Sequence, residues 1–128
     1  MSKSKVLIID DEAMMIKCML GELRPEFDVT FADGEISARD AIKVELYDII
    51  LMDGNLGRGI RGCDVVKHLR ANGITTHISM FSSDVEMNED GVNAGADSVF
   101  HKTWADESMV QRLAEHLRSI CVGIPGKL

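Results

Sequence analysis

No apolar run in this chain approaches the roughly 20 residues that a membrane-spanning helix needs. The basic start, Met1-Ser2-Lys3-Ser4-Lys5, leads into an apolar stretch that Asp10 and Asp11 cut short of a signal-peptide core. No membrane partner is expected, and a cytoplasmic location is. Positive charge is in deficit: 14 Lys and Arg face 21 Asp and Glu, for a net charge of −7. That balance argues against direct nucleic-acid binding, which needs a basic surface. Cysteine is sparse and odd in number, at Cys18, Cys63 and Cys121, with no CxxC pair. Reduced structural thiols are expected, rather than a disulfide framework or a zinc site. The four histidines, His68, His77, His101 and His116, lack metal-ligand spacing and read as surface or internally satisfied residues. Internal repeats and low-complexity tracts are also missing.

What is present is the pattern of one domain, long enough at 128 residues to bury a core. Residues 6–9 form a wholly apolar run that stops at Asp10-Asp11-Glu12. An amphipathic helix with Ile16, Met19, Leu20 and Leu23 follows, and Pro25 ends it. Residues 27–32 alternate, with Phe27, Val29 and Phe31 on one side, and suggest an outer strand. Ala38, Ala41, Ile42 and Leu46 suggest a second helix. Residues 47–52 form a third strand, apolar from Ile49 to Met52 and ending on Asp53. A glycine-rich loop, 54–62, precedes a helix with Val65, Val66 and Leu69 inward and Asn72-Gly73 as its stop. Residues 77–81 read as a fourth strand, 85–94 as a weakly patterned helix, and 98–101 as a short fifth strand. The last helix carries Val110, Leu113, Leu117 and Ile120 on one stripe. Strands and helices alternating at this spacing predict an α/β fold, a parallel sheet covered on both faces.

Four of the five strands end on a chemically useful group. Asp10 and Asp11 follow the first, Asp53 the third, Ser82 the fourth and Lys102 the fifth. Taken singly, each has a plain structural reading. Asp53 and Ser82 suit turns, Asp10-Asp11-Glu12 suits a helix start, and Lys102 suits the surface. In a parallel sheet, however, all carboxyl ends lie along one edge, where open α/β sheets keep their functional groups. Three clustered carboxylates repel unless a cation intervenes. A hard divalent ion with oxygen ligands answers this, and Mg²⁺ suits a site with few carboxylates. Such a site serves phosphoryl transfer, which needs positioning and charge neutralisation. The Asp53 carboxylate would attack phosphorus and form an acyl phosphate. Lys102 would pair with one phosphate oxygen, and the Ser82 hydroxyl would donate to another.

With these residues in view, the chain resembles the receiver domain of bacterial response regulators over about residues 5–120. The run Val6-Leu7-Ile8-Ile9-Asp10-Asp11-Glu12, Asp53 after Ile49-Ile50-Leu51-Met52, and Gly95-Ala96-Asp97 ahead of Lys102 carry the resemblance. It implies a flavodoxin-like (βα)5 fold with a doubly wound five-stranded parallel sheet. It divides the chain into a receiver domain, 1–122, and a tail or linker stub, 123–128. It further implies that Asp53 is phosphorylated from the phosphohistidine of a sensor histidine kinase or phosphotransfer protein. Asp10, Asp11 and Asp53, with the backbone carbonyl of Asn55, would hold Mg²⁺. Ser82 would take the switch hydroxyl position. The readout would be a changed face near the 85–94 helix, the fifth strand and the last helix, met by an effector protein or output domain. A homodimer is compatible with it. Trp104 lies on or near that face, or at the rim of the core.

The sequence departs from the family pattern at several points. Thr103 stands where proline usually follows the lysine, leaving the isomer of the Lys102–Thr103 bond open. The loop after Asp53 lacks the usual proline and is one residue longer. The 85–94 region is about two residues short. Val99 occupies the position that commonly holds Tyr or Phe, and Phe100 beside it points the opposite way. Asn55 and Asp84, both polar, flank the site and are expected to admit water and shorten the phosphoryl lifetime. These departures keep open a phosphorylation-independent interaction module with the same fold. An aspartyl phosphatase fits less well, because the acids after the first strand are adjacent rather than two apart. A flavin-binding protein would need a phosphate-cradling loop where this chain has carboxylates. Met1 suggests the natural start, and the stretch after Ile120 is too short for an output domain. A stand-alone receiver or a chain cut at a linker is expected.

Overall fold

The computed structural model describes residues 3–12, 14, 16, 17, 20–44, 46–103 and 108–123. The expectations for Cys18, Met19, Trp104 and the 124–128 tail lie outside these residues. Five parallel strands, β1 (Ser4–Ile9), β2 (Phe27–Ala32), β3 (Ile49–Met52), β4 (His77–Ser82) and β5 (Ser98–His101), form one sheet in the order β2-β1-β3-β4-β5. The helices are α1 (Glu35–Val44), α2 (Gly62–Ala71), α3 (Val85–Ala94) and α4 (Met109–Val122). Before β2, the helical residues Met14, Ile16 and Lys17 lead to a 3-10 helix at Leu20–Leu23, on the segment where the first helix was expected.

Strand alternation sends the core to both faces of the sheet. Val6, Ile8, Ile49, Leu51, Phe81 and Phe100 pack with Ile16, Leu20, Leu23 and the α4 residues Met109, Leu113 and Leu117. Leu7, Ile9, Ile50, Met52, Ile78 and Met80 pack with Ala38 of α1 and with Val65, Val66 and Leu69 of α2. β3 is therefore apolar throughout and β1 from Val6 to Ile9, because neither face meets water. β2 lies at an edge, as its alternation suggested.

The second helix is shorter than its apolar spacing implied. It ends at Val44, and Leu46 is 87% exposed. The cause lies just downstream. Lys5 N–H donates to Asp48 Oδ2 at 2.8 Å and Asp48 N–H to the Lys5 carbonyl at 2.8 Å. The chain must leave the helix early enough to meet β1 in this register, and β3 begins only at Ile49. The last helix matches its stripe, with Leu113 and Leu117 buried and Val110 and Ile120 packed at the margin.

Arg70 ties the far end of α2 to the start of β5. Its guanidinium donates to the carbonyls of Gly95 (3.0 Å), Ile74 (2.8 Å) and Thr76 (2.8 Å) and to Asp97 Oδ2 (2.7 Å). Asp97 Oδ2 also accepts from Ile78 N–H at 3.0 Å. On the opposite edge of the sheet, Gly62 N–H donates to the Gly54 carbonyl at 2.9 Å, closing the loop after β3. A Cβ on Gly62 would lie 2.0 Å from the Asp53 carbonyl oxygen. That atom is main chain and has no rotamer in which to retreat.

Gly62→Ala is accordingly expected to cost about 3 kcal/mol or more, whereas Gly21→Ala, which meets nothing within 4 Å, should change stability by less than about 1 kcal/mol. Urea unfolding of the two variants checks this, and equal midpoints would contradict the packing described.

Candidate functional site

The carboxyl ends of the strands bring the expected residues together. Asp10 follows β1 and is fully buried, Asp53 follows β3, Ser82 ends β4 and Lys102 follows β5, all buried, while Asp11 is exposed. One carboxylate oxygen from each of Asp10, Asp11 and Asp53 lies within 4.8 Å of the others. The Lys102 ammonium sits 2.9 Å from Asp10 Oδ2 and 3.6 Å from Asp53 Oδ1. It also stands 4.9 Å from the centroid of the Phe81 ring, in cation–π range. The other oxygen of Asp10 accepts from Glu12 N–H at 2.9 Å.

Asp53 is electrostatically frustrated. Burial pushes its carboxyl pKa from the ordinary 3.8 up to about 7; Lys102 opposes the rise, Asp10 and Asp11 reinforce it, and the Asn55 N–H hydrogen bond lowers it. Three acids against one ammonium leave a local excess of negative charge. The donors are all oxygen, two of them buried and one open to solvent. That set fits a hard divalent cation, held by the carboxylates of Asp10, Asp11 and Asp53. A groove of about 540 Å³ opens beside Asp11, between the start of α1 with the residues before it, 33–37, and the 56–60 segment.

The loop after Asp53 is ordered by its own hydrogen bonds. Leu56 N–H donates to the Ile60 carbonyl at 3.0 Å, and Ile60 N–H returns to the Gly57 carbonyl at 2.9 Å. Gly57, Arg58 and Gly59 all have positive φ, 76°, 54° and 78°. Two glycines make this run accessible, and Arg58 carries the cost of a side chain in the left-handed region.

The polar residues flanking the site are engaged locally. Asn55 is exposed, and its Oδ1 accepts from Gly57 N–H at 2.9 Å. Asp84 caps α3, with Oδ1 accepting from Glu86 N–H (2.9 Å) and Met87 N–H (3.2 Å). Ser82 Oγ accepts from Asp84 N–H at 3.1 Å. Gly54 fits between these parts, since a Cβ there would come 2.6 Å from Met87 Cβ and 3.1 Å from Ser82 Oγ. Among the described residues no peptide bond is cis, so the Lys102–Thr103 bond is trans.

Two contacts were not anticipated from sequence: the pairing of Lys102 with Asp10, and the Phe81 ring beneath the ammonium. Phe81 precedes Ser82 by one residue, so its position next to the site was available, but its contact with Lys102 was not. Val99 is 40% exposed and Phe100 is buried, as alternation required. Phe100 packs on Phe81 at 5.8 Å and on His116 at 5.5 Å between ring centroids. His116 Nε2 lies 2.8 Å from Ser79 Oγ, and His77 Nε2 lies 2.8 Å from Ser98 Oγ, so both are satisfied within the fold.

Comparison with known proteins agrees with this geometry. Residues 6–114 match the family described as Response regulator receiver domain. A nitrate/nitrite response regulator protein homolog of Haemophilus influenzae is 32% identical over 118 residues, covering 87% of this chain and 55% of that protein. Sensory transduction protein RegX3 of Mycolicibacterium smegmatis is 31% identical over 117 residues, covering 90% and 51%. The chain thus spans about half the length of these relatives. The crystal structure of a two-component response regulator from Clostridium difficile superposes with a TM-score of 0.82 at 21% identity, covering 97% of this chain and all of that one.

The raised pKa of Asp53 makes a signed prediction for the protein in chelator. Below about pH 4 the carboxyl is neutral in the folded and the unfolded chain alike. From there to about pH 7 the unfolded chain loses the proton first, so this group's contribution to stability is lost as pH rises. Asp53→Asn should therefore raise stability at pH 8 by about 1–2 kcal/mol, discounted for residual solvent screening, and by much less at pH 4. Thermal melts of both proteins at the two pH values measure it; a gain at pH 4 as large as at pH 8 would refute it.

Proposed function

Since this chain belongs to the response regulator receiver domain family, we propose that it is a phosphorylation-controlled switch of a two-component system, with Asp53 as its phosphoacceptor. The observation that supports this most is the position of Asp53: buried, 3.6 Å from the Lys102 ammonium, and clustered with two further carboxylates at one sheet edge. In the reaction, a carboxylate oxygen of Asp53 forms a bond to phosphorus while the phosphorus–nitrogen bond of a donor phosphohistidine breaks. The bonding pair returns to the imidazole nitrogen, which takes up a proton. The donor is a sensor histidine kinase or a phosphotransfer protein.

Mg²⁺ is the cofactor on this reading, held by Asp10, Asp11 and Asp53 and by the backbone carbonyl of Asn55. When bound it offsets the charge of the phosphoryl oxygens and of the carboxylates. Lys102 leaves its closer partner, Asp10, to pair with a phosphoryl oxygen, and the Ser82 hydroxyl donates to another. Gly54, with no side chain beside Ser82, leaves room for that approach. The domain catalyses only its own phosphotransfer and dephosphorylation and is otherwise a regulator. It comprises residues 1–122, with 123–128 as a tail or linker stub. It acts in the cytoplasm on an effector protein or an output domain, and no helix among the described residues is long and apolar enough to cross a membrane.

Incubation with acetyl phosphate and Mg²⁺, followed by intact mass measurement, tests the proposal. The expected result is a single phosphoryl adduct that requires Mg²⁺, disappears in Asp53→Asn, and forms about 100-fold more slowly in Lys102→Ala. An adduct that persists in Asp53→Asn would move the acceptor elsewhere. No adduct from acetyl phosphate or from a phosphorylated histidine donor would leave the phosphorylation-independent interaction module as the better account.

A further inference from the structure

Asn88 is an unusual residue to find beneath a helix. It is 3% exposed and lies in the middle of α3. Its Nδ2 donates to the Ser82 carbonyl at 3.0 Å, while its Oδ1 is buried without a hydrogen-bond donor among the described residues. The amide cannot be turned round to relieve this. With Oδ1 toward Ser82, two acceptors would face each other, so the carbonyl of Ser82 fixes which end of the amide is orphaned.

The rest of the α3 interface is slight. The only residues of α3 that are buried are Asn88 and Gly91. Gly91 lies against Met80, where a Cβ would come 2.2 Å from the sulfur. Val85 and Val92 face outward, 59% and 44% exposed. Beyond Asn88 and Gly91, α3 is held by Ala94 at the margin of the core and by the exposed ion pair of Asp90 with Arg61; with so little apolar burial it belongs to the low-stability end of a fold. Its polar anchor runs directly to Ser82, whose hydroxyl oxygen would lie 3.1 Å from a Cβ on Gly54, the residue that follows Asp53.

We propose that Asn88 is the positioning residue that couples Ser82 to α3, so that phosphorylation of the acidic site displaces this helix. The inference rests on the reading of Asp53 as the phosphoacceptor. The Ser82 carbonyl is shared by two donors, Lys102 N–H at 2.9 Å and Asn88 Nδ2 at 3.0 Å. The first is a rung of the β4–β5 ladder and is held by the sheet. The second reaches a lightly held helix. When the Ser82 hydroxyl is drawn toward a phosphoryl oxygen on Asp53, the main chain of Ser82 moves with it, and the bond to Asn88 is the one that yields. Departure is eased because the orphaned Oδ1 gains access to a donor once the amide leaves its present position. Val99 offers no aromatic ring for this coupling, and Phe100 is locked in the core. The amide is a link of a different chemical kind.

Hydrogen exchange of peptides covering 85–94, followed by mass spectrometry, tests the link in full-length wild type and in Asn88→Leu, with and without acetyl phosphate and Mg²⁺. Intact mass scores the adduct in the same samples. Labelling of the wild type is expected to change exchange in 85–94 by about threefold or more. In Asn88→Leu the adduct should form within about twofold of the wild-type yield, while the change in 85–94 falls below about 1.5-fold. Asn88→Ala, which also lacks the donor, should behave the same way and serves if leucine does not fit. An adduct accompanied by the full wild-type change in both variants overturns the link and leaves the phosphoacceptor reading intact. Absence of an adduct in the wild type overturns both.

Discussion

The ion pair between Lys102 and Asp10 reaches across the sheet. β1 and β5 are separated by β3 and β4, yet the ammonium after β5 lies 2.9 Å from the carboxylate after β1. Both groups are buried, so each serves as the other's countercharge. The arrangement only works if all strands run the same way and end at the same level, which the parallel register provides. Asp53, after the intervening β3, stands farther from the same ammonium, at 3.6 Å. A buried pair of this kind contributes little net stability compared with apolar packing, and its value lies in specifying where the charges stand. On the proposed function, a cation would relieve the acids and an anion would compete for the lysine.

Much of this was legible in the chain itself. Short apolar runs ending on Asp10 and Asp53 pointed to strands buried on both faces, and the alternation of such strands with helices pointed to the edge they share. The edge position of β2 followed from its alternation, and the opposite directions of Val99 and Phe100 followed from the pleat. What stayed hidden depended on contacts between distant segments. Leu46 fits a helical stripe, and only the pairing of Asp48 with Lys5 takes it out of the helix. The preference of Lys102 for Asp10 over Asp53 is a matter of side-chain reach that spacing does not encode. Asn88 looked like one polar residue in a weakly patterned helix, and that weak pattern was itself the signal: the helix has almost no apolar face to show.

The two halves of the molecule differ in how they are held. The α4 side is fastened by a large apolar cluster, including Met109, Leu113 and Leu117. The α3 side is fastened by Gly91 against Met80, the Asn88 amide on Ser82, Ala94 at the core margin and the exposed ion pair of Asp90 with Arg61. Packed apolar groups resist displacement in every direction, whereas a few hydrogen bonds resist it only along their own axes. Such a division lets one region move while the sheet, and with it the geometry of the acids, stays fixed.

The clamp made by Arg70 has its own consequence for the edge of the sheet. β5 is only four residues long, about 13 Å of chain. It is pinned at its start by Asp97 and Arg70 and at its end by Lys102. A strand this short has few ladder bonds and would fray without its end anchors. Were it to peel away, the unpaired main chain of β4, flanked by Ile78, Met80 and Phe81, would become the sheet's new border. That is an apolar, hydrogen-bond-hungry edge of the kind that recruits strands from other molecules. The guanidinium of Arg70, 27 residues from Asp97 in sequence, thus guards the colloidal behaviour of the domain from the end of the sheet opposite Asp10, Asp11 and Asp53.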